Sequence, residues 1–236
     1  MASVAVREAH ENLDPSLRFK SVIDIPVSYD GTWQKRGHTS NYGMGLVIDI
    51  LTGIFVDFHI LSKYCHECVL TKTDLGENSI EFNLRYEGHV SAGNCQKNHN
   101  GSSNGRERDA AEVLWKRSIS DRGMRYTVVL SDGDAKTLDY LNKIKVYPEV
   151  TIEKKECLNH VAKRLGTALK NTVKYWSSRG VTLGGRQPGA LKETTIEKLC
   201  SYYRKAICDN TPNVPEIKKA IYATLSHYMS SDSKPQ

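Results

Sequence analysis

Two aspartates stand at matching places along the chain. Asp30 closes residues 22–29, a β-branched and apolar run, and Asp132 closes residues 125–130, a run of buried-strand type. A glycine follows each, which lets the backbone turn away sharply and leaves the carboxylate at a strand end. In open sheets with helical connections, sites form beside such ends. If the two strands are neighbours, the carboxylates converge on Mg2+ or Mn2+, hard ions that take oxygen ligands. Two such ions activate a water or hydroxyl and stabilise the leaving oxygen of an in-line phosphoryl displacement. Asp-Gly after a strand is also ordinary turn chemistry. Asp134 is an alternative ligand, or else the N-cap of the helix that follows.

A second constellation is built from softer donors. Cys65-x-x-Cys68 has the bite of a tetrahedral zinc site, and His89 and Cys95 can close it. His66 and His99 compete for the histidine place. The alternative is a set of free thiols in a mobile loop. A redox pair is disfavoured, because the sequence marks no helix start there to depress a thiol pKa. Zinc would staple a segment that has few apolar residues of its own.

The third feature is a basic run. Lys154, Lys155, Lys163, Arg164, Lys170, Lys174 and Arg179 interleave with Tyr175 and Trp176. Cations spaced along a helix neutralise backbone phosphates, and an aromatic ring can stack on an exposed base. Trp176 is equally readable as core. Residues 1–152 hold 18 Lys+Arg against 20 Asp+Glu, and residues 153–219 hold 14 against 6, so the net charge of +6 belongs to the later segment. That asymmetry favours a polyanionic partner, nucleic acid before membrane, against the plain alternative of a lysine-rich solvated face.

The elements that must hold these residues follow a coarse β-β-β, insertion, α-β-α-β order, then basic helices. Of 236 residues, 39% are apolar and 25% charged, enough for a sizeable core and against wholesale disorder. No apolar stretch approaches the roughly 20 residues of a membrane span, and Arg7, Glu8 and Glu11 stand where a signal peptide would be apolar. The expectation is an intracellular chain that is not secreted. Residues 1–20 read as a flexible lead-in, 21–62 and 106–176 as the α/β core, and 63–105 as a Cys/His insertion. Residues 177–189, with four glycines and a proline, read as a linker, and 190–236 as a basic helical segment. Thr52-Gly53 predicts a hairpin turn, Val150–Ile152 a short strand, and Thr194-x-x-Glu197 a capping box.

Taken in order, Ser28-Tyr29-Asp30-Gly31-Thr32-Trp33, Lys63-Tyr64-Cys65-His66-Glu67-Cys68, Asn100-Gly101-Ser102-Ser103, Leu130-Ser131-Asp132-Gly133-Asp134 and Cys157-Leu158-Asn159-His160 resemble a Mutator-like DNA transposase domain. The resemblance covers roughly residues 20 to 230. It implies a ribonuclease-H-like mixed sheet flanked by helices, with a C-terminal helical insertion, and an Asp-Asp-Glu set that cleaves and joins DNA with Mg2+ or Mn2+. Asp30 matches its first acid and Asp132 its second. Cys157 and His160 match the Cys-x-x-His motif that follows, where His160 can face the acids and contact a phosphate, or simply pack between helices. Lys163 and Arg164 continue the same stretch. The family's glutamate comes after a helical insertion, and Glu193, Glu197 and Glu216 are not matched to it. The expectation is therefore a piece truncated before its third acid, or a domesticated, non-catalytic DNA- or protein-binding module. The resemblance also implies a nuclear site of action and, because transposition pairs DNA ends, a homo-oligomer.

Overall fold

In the computed structural model the described residues are 1–33, 40–101, 103–131, 135–187 and 189–229. They form α1 (Ala2–Leu13), a short 3-10 helix (Pro15–Phe19), β1 (Ile23–Trp33), β2 (Tyr42–Asp49) and β3 (Phe55–Ser62). Next come α2 (His66–Leu75), α3 (Ile80–Ser91), α4 (Ser103–Arg122), β4 (Met124–Ser131), α5 (Lys136–Lys143) and β5 (Glu153–Glu156). The chain ends with α6 (Leu158–Ser177), α7 (Glu193–Asn210) and α8 (Val214–Met229). Among the described residues no helix is long and apolar enough to cross a membrane. Two compact units result, Met1–Lys155 and Glu156–Gln236.

The first unit is built on a five-stranded sheet of order β3-β2-β1-β4-β5. β2 runs antiparallel to β1 and to β3, and β4 runs parallel to β1, so the sheet is mixed. This is the ribonuclease-H-like α/β arrangement that the resemblance implied. Ile23, Ile25 and Val27 alternate along β1 into the core and meet Met124, Tyr126 and Val129 of β4. From α4 come Ala111, Leu114 and Trp115 at helical spacing. Trp115 lies edge-on between Tyr29 and Tyr126, with ring centroids 5.3 and 5.2 Å apart, and its indole N–H donates to the Tyr126 carbonyl at 3.2 Å. Ile119, the next apolar residue at that spacing, is exposed, and Ser118 takes the buried place by bonding the Tyr147 hydroxyl.

Several expectations are corrected. The lead-in is not irregular: α1 buries Val6 in the core, and His10 sets Nε2 2.8 Å from Oδ1 of the buried Asp49. Asp30 does not end its strand. β1 runs on to Trp33 because its ladder with β2 continues through Gly31↔Gly45, Thr32↔Met44 and Trp33↔Gly43. The final strand falls at Glu153–Glu156 rather than Val150–Ile152. Asn142 explains this: its side chain accepts from the Ile152 N–H at 2.8 Å and donates to the Ile152 carbonyl at 3.0 Å, taking both backbone groups. The Thr194 capping box does not form, since α7 starts at Glu193, two residues too early, with Lys192 as its N-cap. The hairpin turn is as expected, with Gly53 at φ 70° and the Asp49 carboxylate accepting from Thr52 N–H and hydroxyl at 2.8 and 2.7 Å.

The second unit packs α6 against α7 and α7 against α8. Gly166 makes the first contact close: a Cβ there would stand 3.1 Å from Cys200 Sγ. Ala162, Ile196 and Ala206 are buried in it.

Candidate metal centre and acidic strand end

The insertion leaves the sheet at the end of β3 and returns beside it. Asn98 ties its two ends together, accepting from Ser62 N–H at 2.7 Å and donating to the Ile60 carbonyl at 2.9 Å. Between these ends α2 and α3 form a helical pair. Gly76, at φ 78°, ends α2, and Ser79 caps α3 by accepting from Phe82 N–H at 3.0 Å. The pair buries little. Thr71 is the buried residue of α2, and α3 has none among its described residues. Leu70, Leu75, Ile80, Leu84 and Val90 are exposed.

What the pair does enclose is a donor set. Cys65, Cys68, His89 and Cys95 each offer one ligand atom, and these atoms all lie within 4.8 Å of one another. Cys65 is the N-cap of α2, and Cys68 lies in its first turn. His89 comes from the last turn of α3, and Gly93, at φ 70°, turns the chain so that Cys95 comes back to the other three. Cys65 Sγ stands 3.3 Å from His89 Nε2, and Cys68 Sγ stands 3.6 Å from Cys95 Sγ. A tetrahedron with bonds of about 2.0 to 2.3 Å has edges of about 3.3 to 3.8 Å. The two pairs therefore have the spacing of ligands around one small ion, and the thiols are not disulfide-bonded. His89 presents Nε2 to the sulfurs while its Nδ1 lies 3.4 Å from Glu67 Oε2. A carboxylate behind the ring is a frequent way to fix a metal-binding histidine.

Of the three histidines in contention, the structure brings His89 to the thiols. His66 sets Nδ1 3.0 Å from the Tyr64 hydroxyl, and His99 is buried with Nδ1 3.2 Å from Asp109 Oδ2. A helix does start at the pair of cysteines, contrary to the sequence reading. Burial raises the Cys65 thiol, but backbone N–H groups of Cys68 and Gln96 and the His89 ring outweigh it and bring it down to about 6. Cys68 is pushed up to about 12 by burial and by its hydrogen bonds to Cys65 and Cys95. After burial, the crowding of three thiols adds to the shift, since the first negative charge opposes the next. A bound cation removes that opposition.

The acidic site is built on β1. Asp30 is exposed on this strand, opposite Leu46 of β2. β1 and β4 are parallel neighbours, as convergence of the two acids requires, and their ladder runs to Ser28↔Leu130 among the described residues. Asp132 and Asp134 lie outside the described residues. One neighbour of Asp30 escaped the sequence reading. Glu107, in the first turns of α4, accepts the Tyr29 hydroxyl on its backbone carbonyl at 2.5 Å, and its side chain lies against Gly31. The sequence carried no signal for this, because the contact depends on how closely α4 approaches the sheet.

A Mutator-like transposase family model matches residues 2–234. The chain belongs to the Mutator-like transposase family. No curated protein and no solved structure matches it. Membership implies DNA as the partner and a divalent metal in the chemistry. Asp30 on β1 fits such a group by its donor chemistry, since its carboxylate supplies the oxygens that hard divalent ions take.

The Cys-x-x-His residues of this family member open α6. Cys157 is its N-cap and is half-buried, and the His160 N–H donates to the Cys157 carbonyl at 2.9 Å. His160 Nδ1 is buried without a hydrogen-bond partner among the described residues. Arg164 is ion-paired with Glu156, which occupies the charge expected to meet DNA. Lys163 lines a groove of about 600 Å³ between α6 and α7, with Thr167, Lys170, Ser201 and Arg204. Trp176 is partly exposed rather than core, and the Arg179 guanidinium lies over the Tyr175 ring, 3.6 Å from its centroid.

Proposed function

We propose that this chain carries the DNA-cleaving core of a Mutator-like transposase, with Asp30 and Asp132 holding Mg2+ or Mn2+ and a zinc ion stapling the Cys/His insertion. The observation that carries the reading is family membership over residues 2–234 together with Asp30 standing next to the β1–β4 ladder. When bound, the divalent ion activates the attacking water or hydroxyl and stabilises the leaving phosphate oxygen. Asp30 supplies a hard oxygen donor on a strand fixed on both sides by β2 and β4, so its position is set by the sheet rather than by a loop. Cys65, Cys68, His89 and Cys95 are the zinc ligands, in the closed four-ligand form of a structural centre.

The cations of the second unit hold nuclear DNA by its phosphates. Lys163, Lys170, Lys174 and Arg204 position the backbone without reading sequence, Arg164 joins them on release from Glu156, and Cys157 and His160 face the bound strand. Supercoiled DNA incubated with the purified chain and Mg2+ or Mn2+ tests the reading. Nicking that disappears in Asp30→Asn and Asp132→Asn is the expected result. Salt-sensitive DNA binding with no metal-dependent nicking at any concentration assigns the chain to non-catalytic binding instead.

A further inference from the structure

We infer that the C-terminal end of α6 is a stacking platform for an unpaired DNA base, so that the substrate this chain grips includes a single-stranded stretch. The base lies on the guanidinium of Arg179, which is itself stacked on Tyr175, with Trp176 beside it. The inference rests on the reading of DNA as the partner and adds a contact to a base to the phosphate contacts.

The composition of this stretch sets the chemistry. Residues 157–192 hold seven Lys and Arg and no Asp or Glu. Aromatic surface left exposed among cations alone suits a partner that is both polyanionic and rich in flat π-faces, which is nucleic acid. Tyr175 is 52% and Trp176 41% exposed, and their rings meet edge to face with centroids 5.7 Å apart.

The end of the helix holds this group in place. Gly180, at φ 78°, turns the chain back, its N–H donating to the Ser177 carbonyl at 3.1 Å and the Val181 N–H to the Trp176 carbonyl at 3.0 Å. Arg179 lies within this closed turn. Its Nη1 donates to the Tyr175 carbonyl at 3.4 Å, and its Cζ stands 3.6 Å from the Tyr175 ring centroid. Arg179 is exposed, so the guanidinium face turned away from the ring is open to solvent. A planar guanidinium fixed in this way offers a flat, charged surface with little side-chain freedom left to lose on binding. Among the described residues the ion pairs of α6 are made by Arg164 and Lys170, so no carboxylate competes at Arg179 or at the exposed Lys174. Lys174 is left to take the neighbouring phosphate. Bases inside a duplex cover one another's faces, so a platform of this kind serves only where a base is unpaired.

Fluorescence anisotropy of a labelled oligothymidylate and of a labelled blunt duplex tests this on the full chain, purified without chelator and with no Mg2+ or Mn2+ added. Arg179→Lys keeps the charge and removes the plane. It is expected to weaken single-strand binding by about tenfold and to leave the salt slope and the duplex affinity unchanged. Tyr175→Ala and Trp176→Ala should act likewise, whereas Tyr175→Phe, which keeps the ring, should bind as the unaltered chain does. Thermal melting checks the fold of each variant. If Arg179→Lys and Tyr175→Ala bind the oligothymidylate as the unaltered chain does while Lys163→Ala binds it less tightly, the inference falls and the phosphate contacts stand. If the substitutions leave DNA binding alone and change the sedimentation of the chain instead, the patch is a protein–protein surface and the inference falls as well. If the unaltered chain binds neither DNA, the inference and the DNA reading fall together.

Discussion

At the scale of single residues, two glycines facing each other across β1 and β2 decide how near α4 comes to the sheet. Gly31 pairs with Gly45, and a Cβ on Gly45 would lie 2.8 Å from Ala110 Cβ and 2.9 Å from the Tyr29 hydroxyl. Neither obstacle is the free end of a flexible chain: Ala110 Cβ is fixed to the helix, and the Tyr29 hydroxyl is held by Glu107. Overpacking a filled contact of this kind costs about 1–3 kcal/mol. Gly45→Ala should therefore lower the melting temperature by several degrees. Urea denaturation should show the same loss as a shifted midpoint with unchanged slope. A variant as stable as the parent would mean that α4 stands farther from the sheet than described. This pair also explains a misreading of the sequence. Asp-Gly looks like a strand followed by a turn, whereas Gly31 is there for what it lets approach, and strand β1 continues past it. Glu107 was illegible for the same reason, since nothing local connects residue 107 with residue 31.

At the scale of elements, the insertion shows what sequence spacing can and cannot give. Cys-x-x-Cys followed by His and Cys carried its own signal, because the chemistry of the ligands is independent of the path between them. The choice among His66, His89 and His99 was not legible. It depends on α2 and α3 folding back at Gly76, which sets the last turn of α3 beside the first turn of α2. α1 was missed because its mixed polar sequence hides the two positions that matter, Val6 and His10. With so little buried in α2 and α3, the Asn98 tie and the ion proposed for the Cys/His cluster are what would hold them to the rest of the unit. Purified without chelator, the chain should carry about one zinc by elemental analysis. Cys95→Ser should lose it, and amides of residues 66–91 should then exchange with solvent rapidly. Those of β1 and β4, secured by the Trp115 core, should remain protected. Slow exchange in α2 and α3 without zinc would show that the helical pair is held by packing alone.

At the scale of the whole molecule, charge divides along with structure. The sheet unit is close to neutral, and the helices from residue 156 onward carry the excess of Lys and Arg. Much of that excess is already engaged: Arg164 with Glu156, Lys170 with Glu193, Arg204 with Asn159, and Arg179 over Tyr175. Engaged cations release fewer counterions on meeting DNA than their number suggests, because breaking a surface pair offsets part of the gain. Among the described residues Lys163, in the groove, and Lys174, on the same helix, make no ion pair, so these two are placed to act on phosphates at full strength. The logarithm of DNA affinity should fall linearly with the logarithm of salt concentration. Lys163→Ala and Lys174→Ala should each reduce the slope by about 1, uniformly across DNA sequences. Arg164→Ala should change it by less, since its removal also frees Glu156. Fluorescence anisotropy over a salt series measures all three. An Arg164→Ala effect equal to that of the lysines would mean that the Glu156 pair gives way without resistance, and that total charge rather than its pairing governs how this transposase domain meets DNA.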